Sequence, residues 1–206
     1  AATGPAIDER NIVHGVEIPS EGYCDQPYIV VNDLGEWVCT LTTGPGKEGN
    51  VKQHVVATIS TDKGKTWGPL IDIEPQGPPE ASWVMPLKVG GRIYVFYDYN
   101  AENMREVTLS SGGVTKRVDT LGHYVFKYSD DGGHTWSDQR YRVPMRTFDI
   151  DRENVYGGEV QFFWGVGKPI IHDGAAYIGL SKVGNFGKGF IERSEGIFLR
   201  SDNILT

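Results

Sequence analysis

Ser60-Thr61-Asp62-Lys63-Gly64-Lys65-Thr66-Trp67 and Ser129-Asp130-Asp131-Gly132-Gly133-His134-Thr135-Trp136 spell one pattern, S-x-D-x-G-x-T-W. A weaker third copy, Ser201-Asp202, follows at a similar interval. The residue types suit a tight turn between strands. Aspartate accepts backbone N–H bonds, and glycine supplies a positive φ. The hydroxyls close local hydrogen bonds, and tryptophan plugs the turn against the strands below. On this reading Asp62 and Asp131 are turn formers, not acids, and His134 is an exposed turn residue.

The text between the turns repeats as well. The first unit has apolar runs over 27–31, 36–41 and 55–59, then its turn, then a run over 70–73. The second has 84–89, 92–97, 124–128 and, after its turn, 139–143. The third has 168–171, 175–180 and 196–200. Long helical periodicity is absent. Strand units at a fixed period mean propeller blades. The expected organisation is a lead-in over 1–22, whose Asn11–Ile18 stretch closes a blade as a strand. Blades follow at 23–75, 76–145 and 146–206, the last incomplete. His14 reads as structural within that closing strand.

Composition narrows the function classes. The chain has 206 residues, 27 of them Gly and 11 Pro, and a formal charge of −7. No basic run or stripe appears, so no nucleic-acid partner is expected. No apolar run approaches the ~18–20 residues that cross a membrane. The start, Ala1–Pro5, reads as an end left by cleavage, which would place the protein in a secreted or periplasmic setting. A turn at 32–35 sets Cys39 opposite Tyr28, out of reach of Cys24, so both cysteines are expected as free thiols. No phosphate loop and no metal-spaced cluster appears, so no cofactor and no metal is expected.

In its turns and blade pattern the whole chain resembles the sialidase-like Asp-box (BNR repeat) β-propellers, relatives of glycoside hydrolases. The resemblance implies an all-β propeller, usually six-bladed, with about three blades present here. An open propeller would expose strand edges. The remaining blades are therefore expected as a partner, either a second chain or a C-terminal half, and this stretch alone is not expected to fold.

The resemblance also places the active site on the face opposite the turns. Six residues before each box serine, strand three should begin on that face, at His54, His123 and Glu195. Strand-one starts bring Tyr23, Asp25, Gln26, Glu80, Trp83, Glu159, Trp164 and Lys168. Strand-two ends bring Tyr97, Asp98 and Asn100. Aromatic rings stack on sugars, and carboxylates and amides read hydroxyls, so the set points to a carbohydrate substrate. His54 or His123 is the expected proton-transfer residue, because imidazole titrates near neutrality. Asp25 or Glu80 would orient substrate or assist.

Two departures from sialidases stand out. Their first arginine opens blade one, where this chain reads Tyr23-Cys24-Asp25-Gln26-Pro27, with Asp25 at the arginine position. Their acid/base aspartate falls on His54. The expected function is therefore glycosidase action on a non-sialic sugar. The alternatives are a polysaccharide lyase on a uronate-containing glycan, or a non-catalytic propeller binding carbohydrate or protein.

Overall fold

The computed structural model describes residues 7–8, 10–165, 167–187 and 190–204. The Ala1–Pro5 stretch and the last residue, Thr206, lie outside the described residues. The chain is nearly all β. Sheet one holds β1 (Tyr23–Val31), β2 (Trp37–Gly44), β3 (His54–Ser60) and β4 (Ile71–Asp72), antiparallel and in chain order. Sheet two holds β5 (Ala81–Val89) and β6 (Arg92–Tyr99). A small hairpin of β7 (Val107–Thr108) and β8 (Val114–Thr115) interrupts it. It then resumes with β9 (His123–Ser129) and β10 (Tyr141–Arg142), in the order β5-β6-β9-β10. A short helix α1 (Asp149–Arg152) leads to sheet three. There β11 (Phe162–Gly165) and β12 (Ile170–His172) share one edge of β13 (Ala175–Gly187), and β14 (Phe190–Ser201) takes the other.

Period-two alternation fills both faces of the middle sheet. From β6, Ile93, Val95 and Tyr97 pack on Val38, Val55 and Ala57 of sheet one. The intervening Tyr94 and Phe96 pack toward Ile178 and Leu180 of sheet three. The three sheets are thus layered through two apolar cores.

The repeated turns form as read. Asp62 accepts from the Thr66 N–H at 2.8 Å and hydroxyl at 2.7 Å, and the Gly64 N–H donates to Ser60 Oγ at 2.8 Å. The second copy repeats this, with Thr135 on Asp131 at 2.9 and 2.6 Å and Gly133 on Ser129 at 2.8 Å. Gly133 has φ +98°, and a Cβ there would lie 2.8 Å from Val38 of sheet one, so glycine is required twice over. In the third copy Ser201 Oγ donates to Asn203 at 3.1 Å, so Asn203 stands where the aspartates stand. His134 is exposed as expected, yet its Nε2 lies 3.1 Å from Glu36.

Several expectations are corrected. Asn11 caps a single 3-10 turn over Ile12–His14 through the Val13 N–H, so no closing strand runs over 11–18 and His14 is exposed. Cys39 pairs with Ile29 rather than Tyr28, because the turn brings Val31 opposite Trp37 and so sets the hairpin one residue off the expected register. Both cysteines are free, and burial pushes the Cys39 thiol up to about 12. Strand one of the third sheet starts at Phe162 rather than Lys168, and β14 starts at Phe190. Glu195 therefore lies mid-strand, opposite Lys182, because β13 and β14 continue as one long hairpin.

Candidate active site

The first strand of each sheet is interrupted at one level. In β1, Asp25 pairs with Thr42 and Tyr28 with Thr40, so Gln26 and Pro27 oppose Leu41 alone. In β5, Ser82 pairs with Asp98 and Met85 with Phe96, so Trp83 and Val84 oppose Tyr97. In sheet three the break falls between β11 and β12. Gln26 has φ +50° and Trp83 φ +63°, a region that side-chain-bearing residues enter at a cost. Bulges re-aim side chains, and strain of this kind concentrates at functional sites. The Trp83 N–H donates to Thr42 Oγ1 at 2.9 Å, tying the second bulge to sheet one.

These bulges bring carboxylates and rings together. The Tyr23 hydroxyl lies beside the half-buried Asp25. Burial raises the Asp25 pKa, against the downward pull of Tyr23, with Glu48 adding to the rise. Burial and the Asp25 charge push the Tyr23 phenol up, so it stays a donor. Asp119, in the loop before β9, is held by Arg117 through Nε at 2.8 Å and Nη2 at 3.0 Å. Burial nonetheless raises Asp119 to about 7, against the pull of Arg117, with Glu48 and Asp25 adding to the rise. Glu48 pairs with the same Nη2 of Arg117 at 2.5 Å. The Trp83 indole N–H donates to the Asp119 carbonyl, and its ring meets Trp164 edge-on at 5.5 Å.

Beneath them the core between sheets two and three turns polar. The rows Tyr94-Phe96-Asp98 and Ile178-Leu180-Lys182 face each other, and both end in charge. Asp98 is 2% exposed and accepts no hydrogen bond from any described residue. Its cross-strand neighbours, Ser82 and Tyr124, carry hydroxyls that likewise lack a partner among the described residues. Burial raises the Asp98 pKa well above the usual carboxylate range, helped by Asp119 and opposed by Lys182. Lys182 is itself fully buried, with Nζ 3.0 Å from Asp151 of α1 and bonded to Gln161. Burial lowers the Lys182 pKa, and Asp151 opposes that.

The structure therefore gathers Tyr23, Asp25, Gln26, Trp83, Asp98 and Trp164. The other expected residues lie elsewhere. His54 is 2% exposed, and both ring nitrogens are committed, Nδ1 to the Glu74 carbonyl at 2.9 Å and Nε2 to Glu21 at 3.0 Å. Glu80 is buried under Arg105, which binds both its oxygens, and Lys52 N–H donates to it at 3.0 Å. Tyr97 donates to Glu74 in the core. Asn100 closes its own loop through Met104 at 2.9 and 3.0 Å. His123 pairs with Glu102 at 2.8 Å and lines a separate cavity of about 290 Å³ with Glu159 and Gln161. Lys168 Nζ donates to the Ile29 carbonyl at 2.5 Å. Glu195 is exposed beside Arg193, 3.0 Å away.

Sequence reasoning missed Arg117, Asp119 and Tyr124. The one signal for the first two is an Arg-x-Asp set in the long polar loop between β6 and β9. Among the described residues no three His, Cys, Asp or Glu side chains cluster to hold a metal.

No protein-family model matches the sequence, and no curated protein matches it. Solved structures do. The chain is similar to a protein of unknown function from Dyadobacter fermentans DSM 18053 (TM-score 0.63, 18% identity, 91% of this chain, 54% of that one). It is similar to the intramolecular trans-sialidase from Ruminococcus gnavus, solved with oseltamivir carboxylate (TM-score 0.57, 15% identity, 89% and 59%). It is also similar to an ulvan lyase of a new polysaccharide lyase family (TM-score 0.54, 18% identity, 86% and 41%). The chain spans about half the length of these structures. At these identities the likeness shows the fold, an all-β chain of the sialidase-like propeller type.

Proposed function

We propose that this chain supplies part of the active centre of a glycan-active propeller, and that the reaction is hydrolysis of a non-sialic glycoside. One observation carries the reading. Asp25 and Asp119, both with raised pKa, converge with Tyr23, Trp83 and Trp164 at the level of the bulged strands. Asp25 is the member that substrate can reach. A carboxyl whose pKa burial raises is suited to donate a proton to a leaving oxygen. Tyr23 lies beside it, and the neighbouring Glu48 charge keeps the local potential negative. Trp83 and Trp164 stiffen the wall against which a sugar would lie. His54 is left out of the chemistry because neither ring nitrogen is available. The same negative potential repels a sialic carboxylate. A secreted or periplasmic setting goes with this reading.

The test is a glycan screen on the complete protein, wild type beside Asp25→Asn, reading reducing ends and unsaturated uronate. Release from a non-sialic polysaccharide is expected, falling by about 100-fold or more in Asp25→Asn. Sialosides should be untouched. Equal rates in the two proteins would remove Asp25 from the chemistry. Binding without release by either protein would favour a carbohydrate-binding propeller.

A further inference from the structure

Beside the acidic centre the loops 44–52 and 114–117 shape a groove of the opposite sign. A cavity of about 490 Å³ is lined by Lys47, Glu48, Lys116, Arg117, Leu109 and Phe186. A second of about 420 Å³ adjoins it, sharing Asn50 and Lys116 and adding Lys52 and Val51. Four cationic side chains thus border one continuous depression in a protein of formal charge −7. Arg117 is neutralised by Glu48 and Asp119. No carboxylate among the described residues pairs with Nζ of Lys47, Lys52 or Lys116, and these lysines are exposed. The Lys52 backbone N–H is fixed by Glu80 at 3.0 Å, and the Lys47 N–H by Asn50 at 3.1 Å, so the loop that carries them is braced.

Against an acidic background, three unneutralised ammonium groups over an apolar floor make a local anion site. The floor, Leu109, Phe186 and Val51, offers apolar surface to sugar faces. Arg117 links the groove directly to Asp119. A polymer threaded here would enter the acidic centre with its charged groups held back on the lysines. Lysine suits this work better than a fork, because a point charge accepts carboxylate or sulfate at many angles.

We infer that the groove binds an acidic polysaccharide, a chain carrying carboxylate or sulfate groups, alongside the reacting residue. The inference rests on the glycan reading above and narrows its substrate class. The test measures binding apart from turnover. Wild type and the triple variant Lys47→Gln/Lys52→Gln/Lys116→Gln are titrated with polygalacturonate, dextran sulfate and neutral dextran. Lys63→Gln/Lys65→Gln, in an exposed turn, controls for loss of positive charge elsewhere on the surface.

One anionic polymer should bind, weakening as salt rises, and neutral dextran should not. The triple variant should lose about tenfold in affinity, with a shallower salt dependence, and the control should keep wild-type affinity. Polygalacturonate against dextran sulfate separates carboxylate from sulfate recognition. Equal binding of neutral and anionic polymers would overturn the inference. So would an equal loss in the control, or an unchanged triple variant. A triple variant that misfolds still leaves the salt dependence of the wild type to decide. Loss of turnover in Asp25→Asn with groove binding intact would show the two readings to be separable. Anion binding with no turnover on any glycan would overturn the catalytic reading alone.

Discussion

At the scale of single residues, Asp119 ties stability to pH. Its folded pKa is about 7, against 3.8 for the ordinary side chain, and burial is the main cause. The folded state therefore holds a proton between those values that the unfolded chain has released. Stability falls as pH rises from about 4 to 7, with a limiting slope of roughly 1.4 kcal/mol per unit from this group. Asp119→Asn should flatten that slope, read as urea midpoints at pH 4.5, 5.5 and 6.5; an unchanged slope would mean Asp119 is not the linked group. His54 gives a second residue-level prediction. His54→Gln should cost about 1–3 kcal/mol through the lost Glu74 and Glu21 bonds. Turnover per folded molecule should be unaltered, and a selective loss of turnover at wild-type stability would return His54 to the chemistry. The sequence made Asp25, Trp83 and Asp98 legible because they sit at strand ends whose period-two pattern is clear. It could not show the fate of His54. The groups that occupy that ring, Glu21 and the Glu74 carbonyl, come from separate segments. Arg117 and Asp119 stayed hidden because a loop without periodicity gives no face.

At the scale of elements, the bulges deserve a test of their own. Gln26 holds φ +50° although glycine would hold it without strain, and its Oε1 is buried without a partner among the described residues. Structures keep such costs where geometry is used. Gln26→Gly should relieve strain of order 1 kcal/mol, raise the unfolding midpoint slightly, and lower glycan turnover by loosening the aim of Asp25. A variant less stable than wild type and fully active would show that the bulge serves packing alone. The repeated turns behave differently. Their residues state the backbone geometry outright, so the hydrogen bonds of Ser60, Asp62 and Thr66 were legible down to the donors. The bulges were not, because neither Gln26 nor Trp83 is a residue type that announces a positive φ. The helix at 149–152 was equally silent in sequence. What holds it is tertiary, the buried pair of Asp151 with Lys182 from β13.

At the scale of the whole molecule, the question is whether the sheets stand or fall together. Stacked repeats can unfold unit by unit when each touches only its neighbour. Here sheets one and two share an apolar core and a buried ionic knot. Glu74 follows β4 and is 3% exposed. It receives the Tyr97 hydroxyl from β6, Lys127 from β9 at 3.6 Å, and Arg140, just before β10, at 2.7 and 2.6 Å. Arg140 also lies over the Tyr99 ring at 3.6 Å. Removing the carboxylate leaves two cations without their counter-charge inside the interface. The cost of breaking a buried pair in this way is about 3–5 kcal/mol. Glu74→Gln should therefore shift the entire urea transition, seen identically by tryptophan fluorescence and by far-ultraviolet circular dichroism. Arg92→Ala, which breaks the exposed pair with Asp130, should cost at most about 1 kcal/mol. Two separated transitions in Glu74→Gln would mean that the knot is what couples the sheets, and that sheet one unfolds by itself once it is broken. One shifted transition would mean that the acidic centre, whose residues come from all three sheets, is held by the cooperativity of the whole.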